Sequence, residues 1–115
     1  ESRGFLFGAP LARELQKPIV PVRKPGKLPA ATHTTDYELE YGVNTMEIHV
    51  DGLENGQKVL IMDDLLATGG TLAATARLVE MAGGMVSEIG VIIELSFLDG
   101  RKSLSDYEIY SMIQY

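Results

Sequence analysis

The chain has 115 residues, of which 45% are hydrophobic and 23% charged, a balance typical of one globular domain. Ten basic and sixteen acidic side chains give a net charge of −6, which argues against proteins that bind nucleic acid or anionic membranes. The absence of cysteine excludes disulfides and thiolate metal sites and fits a reducing compartment, so we expect a cytoplasmic protein.

Charge is unevenly distributed along the chain. Residues 1–30 carry six basic and two acidic side chains, a net of +4, whereas residues 31–115 carry a net of −10. An acidic domain with one basic segment is suited to bind a small, highly charged anion while it repels polyanions. The chain also opens without an initiator Met, and we expect it to begin inside a larger protein.

The first predicted element is a helix over residues 9–16, which have helix-forming composition and a proline near the start. The apolar run 19–22, flanked by prolines, predicts an edge strand, and residues 23–29 predict a positively charged loop. Period-two alternation over residues 37–50, with turn residues at 42–44, then predicts a β-hairpin.

The second half of the chain alternates between apolar strands and a helix. The aliphatic run 58–62 predicts a strand buried on both faces, and residues 63–70 predict a loop. A helix is predicted over 71–82, followed by strands over 85–95 and 107–113. Strand, helix and strand in this order indicate a right-handed βαβ unit, and therefore an α/β fold with a mainly parallel sheet flanked by helices.

Two adjacent carboxylates, Asp63 and Asp64, follow directly after the buried strand. Burying an unpaired carboxylate costs several kcal/mol or more, so both are expected at the carboxyl edge of the strand. Open α/β sheets bind their ligands at this edge. A carboxylate pair there can accept hydrogen bonds from neighbouring sugar hydroxyls.

The next segment has the properties of a phosphate cradle, because it combines glycines, hydroxyls and the partial positive charge of a helix N-terminus. It lacks the Gly-Lys-Ser/Thr ending of a P-loop and the GxGxxG pattern of a dinucleotide turn. Together with the two carboxylates it predicts a ribose 5-phosphate site, whereas the alternative is a solvated strand end before an ordinary helix cap. The cradle residues are Ala67, Thr68, Gly69, Gly70 and Thr71.

Residues 59–71 resemble the phosphoribosyl pyrophosphate (PRPP) motif of type I phosphoribosyltransferases. Residues 1–8, 23–29 and 39–42 resemble further motifs of the adenine phosphoribosyltransferase family, in that family's order and spacing. The resemblance covers nearly the whole chain. It implies a type I phosphoribosyltransferase-like, Rossmann-like core domain over 1–115, without its N-terminal hood and first strand, and with a β-hairpin flap over about residues 30–50.

The resemblance implies an enzyme of purine salvage that forms AMP and pyrophosphate from adenine and PRPP with Mg²⁺, held mainly by the substrate. It assigns Asp63 and Asp64 to the ribose hydroxyls and residues 67–71 to the 5-phosphate. Oxopurine enzymes usually carry Asp at the first cradle position, which is Ala67 here. The carboxylate that handles the proton must then come from elsewhere, which is consistent with adenine as the base.

The resemblance also assigns residues to the pyrophosphate. Ser2 and Arg3 would form its loop together with Lys27, while Arg23 would reach the site of a neighbouring subunit, which implies a homodimer. Physical chemistry supports the assignment of cations, because the transition state should be oxocarbenium-like and negative charge grows on the departing pyrophosphate.

Glu40 resembles the family's proposed general acid, which would share a proton with adenine N7, and Tyr41 resembles a residue that closes over the reacting centre. Neighbouring residues of a regular strand point to opposite faces, so both roles require a bend or a mobile flap. Glu38, about 7 Å from Glu40 along the same face, is interpreted as solvated hairpin surface.

Two alternatives remain open at this point. One is a regulatory domain that binds PRPP without transferase activity, which would not need Glu40 or the Ser2-Arg3 loop. The other is a phosphoribosyltransferase for another nucleobase, which would differ only in the base.

Overall fold

The computed structural model describes residues 1–39 and 41–115. Among them, no helix is long and apolar enough to cross a membrane. The elements in chain order are helix α1 (Phe5–Glu14), strands β1 (Thr32–Leu39), β2 (Gly42–His49) and β3 (Lys58–Leu66), helix α2 (Gly70–Met81), strand β4 (Met85–Glu94), 3-10 helices at Ser96–Leu98 and Gly100–Leu104, and strand β5 (Ile109–Gln114).

The described strands form two sheets. β3, β4 and β5 make a parallel sheet in that order, and β1 and β2 make a separate antiparallel hairpin. β3 and β4 pair from Lys58 opposite Met85 to Leu66 opposite Glu94, with α2 as the connection between them. The predicted strand, helix and strand order is confirmed, and so is the α/β class. The bounds of α2, β4 and β5 agree with the predictions within two residues.

Helix α2 packs on both sheets and contributes five of the buried apolar residues. One of its faces lies against the parallel sheet, and Leu78 is fully buried against Met46 and Ile48 of the hairpin. Arg77 of α2 also donates a hydrogen bond from Nη2 to the backbone oxygen of Asp36 at 3.1 Å. The hairpin is therefore docked on the helix that follows the predicted cradle. The larger cluster on the parallel sheet comprises Ile61, Leu66, Leu72, Ala76, Val79, Ile89, Val91 and Leu104.

The predicted bounds are wrong in the first quarter of the chain. Helix α1 begins at Phe5, not at residue 9. Residues 19–22 form no strand, because Pro18 and Pro21 cannot donate backbone hydrogen bonds. Pairing occurs only at the next residue, where Arg23 and Glu47 exchange two backbone hydrogen bonds of 3.0 and 2.7 Å.

The turn predicted at residues 42–44 is also wrong, because all three residues belong to β2 and Leu39 pairs with Gly42. Likewise, Asp63 and Asp64 lie within β3 and not in a loop after it. Strand β4 continues to Glu94, so the backbone of β3 finds hydrogen-bond partners beyond its apolar run 58–62. The carboxylates remain near the carboxyl end of the strand, but their backbone belongs to the sheet.

Leu78→Ala should destabilise the full-length protein by about 2–5 kcal/mol, because truncation of a fully buried leucine leaves a cavity between α2 and the hairpin. Urea unfolding measures the change. Met81→Ala, at a half-exposed position of the same helix, serves as the control and should cost much less. Equal losses for the two variants would contradict the packing described.

Candidate functional site

A cavity of about 180 Å³ lies where β3 ends and α2 begins. Arg3, Asp63, Asp64 and the whole segment 67–71 line it, and Glu1 is a further lining residue. The structure thus brings together residues from three parts of the predicted site, of which Arg3 and Thr71 are 68 positions apart in the sequence.

The cradle is shaped by Gly69, whose φ of +90° turns the chain from the strand into the helix. A Cβ at Gly69 would lie 2.5 Å from the carbonyl oxygen of Gly100, so only glycine fits this position. Among the described residues, no side chain caps the start of α2. The first N–H groups of the helix can therefore donate to an anion such as a phosphate.

Tyr37 connects the hairpin to the cradle, a role that was not predicted from the sequence. The Thr71 hydroxyl donates a hydrogen bond to the Tyr37 hydroxyl at 3.1 Å, and Asn44 Nδ2 donates to the same oxygen at 3.4 Å. The ring lies against Gly70, where a Cβ would come within 3.2 Å of it. No local pattern could have indicated this contact, because Tyr37 and Thr71 are 34 residues apart.

The two carboxylates have different environments. Asp63 Oδ1 accepts a hydrogen bond from the backbone N–H of Asp64 at 2.9 Å, and burial, together with the neighbouring Asp64 carboxylate, raises the pKa of Asp63. A Cβ at Gly4 would lie 2.6 Å from the same oxygen, so the absence of a side chain there lets the 1–4 segment approach. Asp64 instead forms an ion pair with Arg3, with 2.6 Å between Oδ2 and Nε.

The buried carboxylate of Glu1 accepts hydrogen bonds from basic residues of the segment 23–27. Its side chain is 4% exposed and accepts hydrogen bonds from Arg23 Nε at 2.9 Å, from Lys27 Nζ at 2.8 Å and from the backbone N–H of Lys24 at 2.9 Å. In the sequence, Glu1 is only an acidic residue in a basic stretch. Its position in a segment with six basic side chains could have indicated that it forms ion pairs, since a buried carboxylate needs such partners.

The remaining predicted site residues are less closely connected to the cavity. Ser2 and Tyr41 are exposed, Tyr41 to 90%, and the peptide bond between Glu1 and Ser2 is cis. Glu38 is exposed, which confirms its interpretation as hairpin surface. Glu40 lies outside the described residues.

The comparisons with known proteins agree with one another. A family model described as phosphoribosyl transferase domain matches residues 1–113. The chain is 57% identical, over all 115 residues, to an adenine phosphoribosyltransferase from Chloroflexus aurantiacus, of which it covers 66%. The crystal structure of adenine phosphoribosyltransferase from Thermoanaerobacter pseudethanolicus matches with a TM-score of 0.98 at 60% identity, over all of this chain and 67% of that one.

A crystal structure of the enzyme from Saccharomyces cerevisiae, complexed with an imino-altritol bisphosphate and adenine, matches with a TM-score of 0.94 at 44% identity. That match covers 97% of this chain and 63% of the yeast chain. These likenesses confirm the predicted fold class. The chain spans about two thirds of the length of the curated relatives it matches.

The ion pairs of Glu1 should make stability depend on pH. The hydrogen bond from Arg23, supported by Lys27, lowers the pKa of Glu1 from 4.5 to about 2. Because the folded state has the lower pKa, this contribution is complete above about pH 4.5 and is lost as the pH falls towards 2. Urea unfolding should give a difference between wild type and Glu1→Gln that is constant from pH 7 to 5 and shrinks below about pH 4. A difference that does not change with pH would contradict the assignment.

Proposed function

The chain belongs to the adenine phosphoribosyltransferases, within the phosphoribosyl transferase domain family, and from this premise we propose that the whole protein converts adenine and PRPP to AMP and pyrophosphate. The observation that carries the proposal is the shared cavity of two carboxylates, one cation and an uncapped helix N-terminus. In chemistry, the carboxylates match the ribose hydroxyls of PRPP, the cation matches its pyrophosphate, and the helix N-terminus matches its 5-phosphate.

In the proposed complex, Asp63 and Asp64 accept hydrogen bonds from the 2- and 3-hydroxyls of the ribose, and the N–H groups of residues 67–71 hold the 5-phosphate. Fixing the sugar at both ends orients C1 for attack, which is a large part of what an enzyme can contribute to such a transfer. Without ligand, Asp64 forms an ion pair with Arg3. When PRPP binds, a ribose hydroxyl replaces Arg3 as the partner of Asp64, and the Arg3 guanidinium becomes free to bind the pyrophosphate.

The proposed reaction breaks the bond between C1 and the pyrophosphate oxygen and forms a bond from C1 to adenine N9. Positive charge grows on the sugar and negative charge on the leaving group. Ser2, Arg3 and Lys27 stabilise the leaving group. Adenine loses one proton in the transfer, so Glu40 shares the proton at N7 as N9 attacks and takes it up once the bond to C1 has formed. Positioned proton transfer of this kind typically contributes about 10² to 10⁴-fold in rate. Tyr41 closes over the centre and limits access of water.

Mg²⁺ is proposed as the cofactor. Asp63 and Asp64 offer the hard oxygen ligands that Mg²⁺ prefers. The ion would be held mainly by phosphate oxygens and water, because Mg²⁺ usually keeps several waters and binds substrate phosphates. When bound, the ion neutralises negative charge on the pyrophosphate.

The domain assignment is a proposal as well. We infer that residues 1–115 form the core domain of a longer protein whose N-terminal hood holds much of the adenine. A cavity of about 420 Å³ lies beside β3, which in the described part of the chain pairs with β4 alone. A preceding strand and the hood would cover this apolar surface.

We also propose that the protein is a cytoplasmic homodimer in which Arg23 reaches the neighbouring subunit's site. Within one subunit Arg23 binds Glu1 and lies 5.6 Å from the centre of the Phe5 ring, so reaching across requires the Glu1 pair to open. Light scattering on the full-length protein measures the mass. A monomer at working concentration would overturn this part.

The function is tested by incubating the full-length protein with PRPP, Mg²⁺ and each nucleobase in turn. We expect AMP from adenine and no nucleotide from the other bases. Transfer to a different base would identify another phosphoribosyltransferase. Binding of PRPP without turnover of any base would instead identify a regulatory domain and contradict the proposal.

Glu40→Gln should lower kcat at least tenfold and leave PRPP affinity nearly unchanged, because the amide cannot share the proton at N7. Steady-state kinetics and PRPP binding measure the two effects. Glu38→Gln removes an exposed carboxylate two residues away and should leave both values near wild type. Equal losses of kcat and affinity in Glu40→Gln would make Glu40 a structural residue.

Arg3→Gln should affect PRPP and AMP differently. PRPP loses a cation on its pyrophosphate, so its KM should rise about tenfold. AMP has no pyrophosphate and gains a free Asp64, so its affinity should hold or rise up to about fivefold, the range of an exposed ion pair. Calorimetry and kinetics provide the measurements, with Arg13→Gln on exposed α1 surface as the control. A matching loss for both ligands would count against the exchange of partners.

A further inference from the structure

Outside the predicted site, one buried charge is fully paired. The carboxylate of Glu94, 6% exposed at the end of β4, accepts hydrogen bonds from Arg101 Nε at 2.6 Å and Nη2 at 2.8 Å. Ser111 donates to it at 2.9 Å and Gln114 at 3.3 Å. The Arg101 guanidinium lowers the pKa of Glu94, which therefore stays ionised. A two-pronged contact of this kind fixes both groups in orientation as well as in distance.

Arg101 belongs to the 3-10 helix Gly100–Leu104, and this helix forms the back of the cradle. A Cβ at Gly100 would overlap the carbonyl oxygen of Ala67 and lie 3.2 Å from the backbone nitrogen of Gly69. From the same helix, Ser103 donates a hydrogen bond to the Thr68 carbonyl oxygen at 3.4 Å. Each of the three residues before α2 thus has its backbone against this helix.

The other end of the ion pair is anchored in the sheet. Glu94 lies opposite Leu66, the last residue of β3, and Leu95 N–H donates to the Leu66 carbonyl oxygen at 2.9 Å. The ion pair therefore joins the point where the cradle leaves the sheet to the helix that supports it from behind. A second pair in the same segment, between Lys102 and Asp99, is largely exposed and connects only neighbouring residues.

We propose that the Glu94–Arg101 ion pair positions the cradle for the 5-phosphate, and that Arg101 is a positioning residue for the phosphoribosyl group. Arg101 acts through the 3-10 helix and touches no substrate. Only the Glu94 carboxylate is buried, and Arg101 is half exposed. The fork of hydrogen bonds between them holds the two groups, and the elements that carry them, in one orientation. The inference rests on the proposed function, because that function assigns residues 67–71 to the phosphate.

The test compares Arg101→Met, Arg101→Lys and Lys102→Met in the full-length protein. Arg101→Met should raise the KM of PRPP and the Kd of AMP about tenfold, while kcat and the KM of adenine change by less than about threefold. Arg101→Lys should bind PRPP and AMP more tightly than Arg101→Met but less tightly than wild type, since an ammonium keeps the positive charge but cannot make the paired hydrogen bonds of a guanidinium. Lys102→Met removes the exposed pair of the same helix and should stay near wild type.

Pyrophosphate binding separates positioning from general damage. Pyrophosphate has no 5-phosphate group, so its Kd in Arg101→Met should stay within about twofold of wild type. Equal weakening of pyrophosphate and AMP would overturn the proposal, and so would unchanged AMP binding.

A second variant covers the case in which Arg101→Met does not fold because Glu94 is left buried and unpaired. Glu94→Gln keeps the shape of the side chain and one acceptor oxygen, and it should show the same split between AMP and pyrophosphate with a smaller change, about threefold. The absence of that split would count against the ion pair. If wild type forms no AMP from adenine, the proposed transfer fails, whereas the AMP and pyrophosphate measurements still decide the role of Arg101.

Discussion

The site depends on one close approach of backbone to backbone, between the chain leaving β3 and the 3-10 helix that follows β4. Gly69 and Gly100 make this approach possible, because a Cβ on either would collide with the other segment. The contact sets where α2 begins and where its free N–H groups point. It also extends the parallel pairing of β3 and β4 into the loop region, so the cradle is held by the sheet on one side and by the 3-10 helix on the other.

Several charged side chains in and around the site are paired with one another. Arg3 pairs with Asp64, and Glu1 accepts hydrogen bonds from Arg23 and Lys27, so three cations of the +4 segment have carboxylate partners within the chain. In the proposed complex, PRPP binding is then an exchange of partners rather than the neutralisation of bare charge, since the hydroxyls and the pyrophosphate of PRPP can replace the internal partners. Such an exchange favours a ligand that carries both groups over one that carries a single group.

Residues close in sequence were enough to predict that the two carboxylates and the cradle form one site, and both line the same cavity. The strand, the adjacent carboxylates and the Ala-Thr-Gly-Gly-Thr run are continuous, so their order alone indicated a sugar next to a phosphate. Glu1, Tyr37 and Arg101 were not predicted, because their partners lie between 7 and 34 residues away and no spacing rule connects them. The bounds of the hairpin failed for a related reason: cross-strand pairing set the turn, not the glycine and asparagine at 42–44.

Periodicity along the chain was enough to predict the α/β class and the strand, helix and strand order, and local composition predicted ligands with phosphate and hydroxyl groups. Which charges meet depends on the folded chain. It placed Arg3 on Asp64, gathered two cations on Glu1 and set the Glu94–Arg101 pair behind the cradle. These contacts arise from the packing of loops from separate strands onto one edge of the sheet, and such long-range proximity is a property of the folded chain.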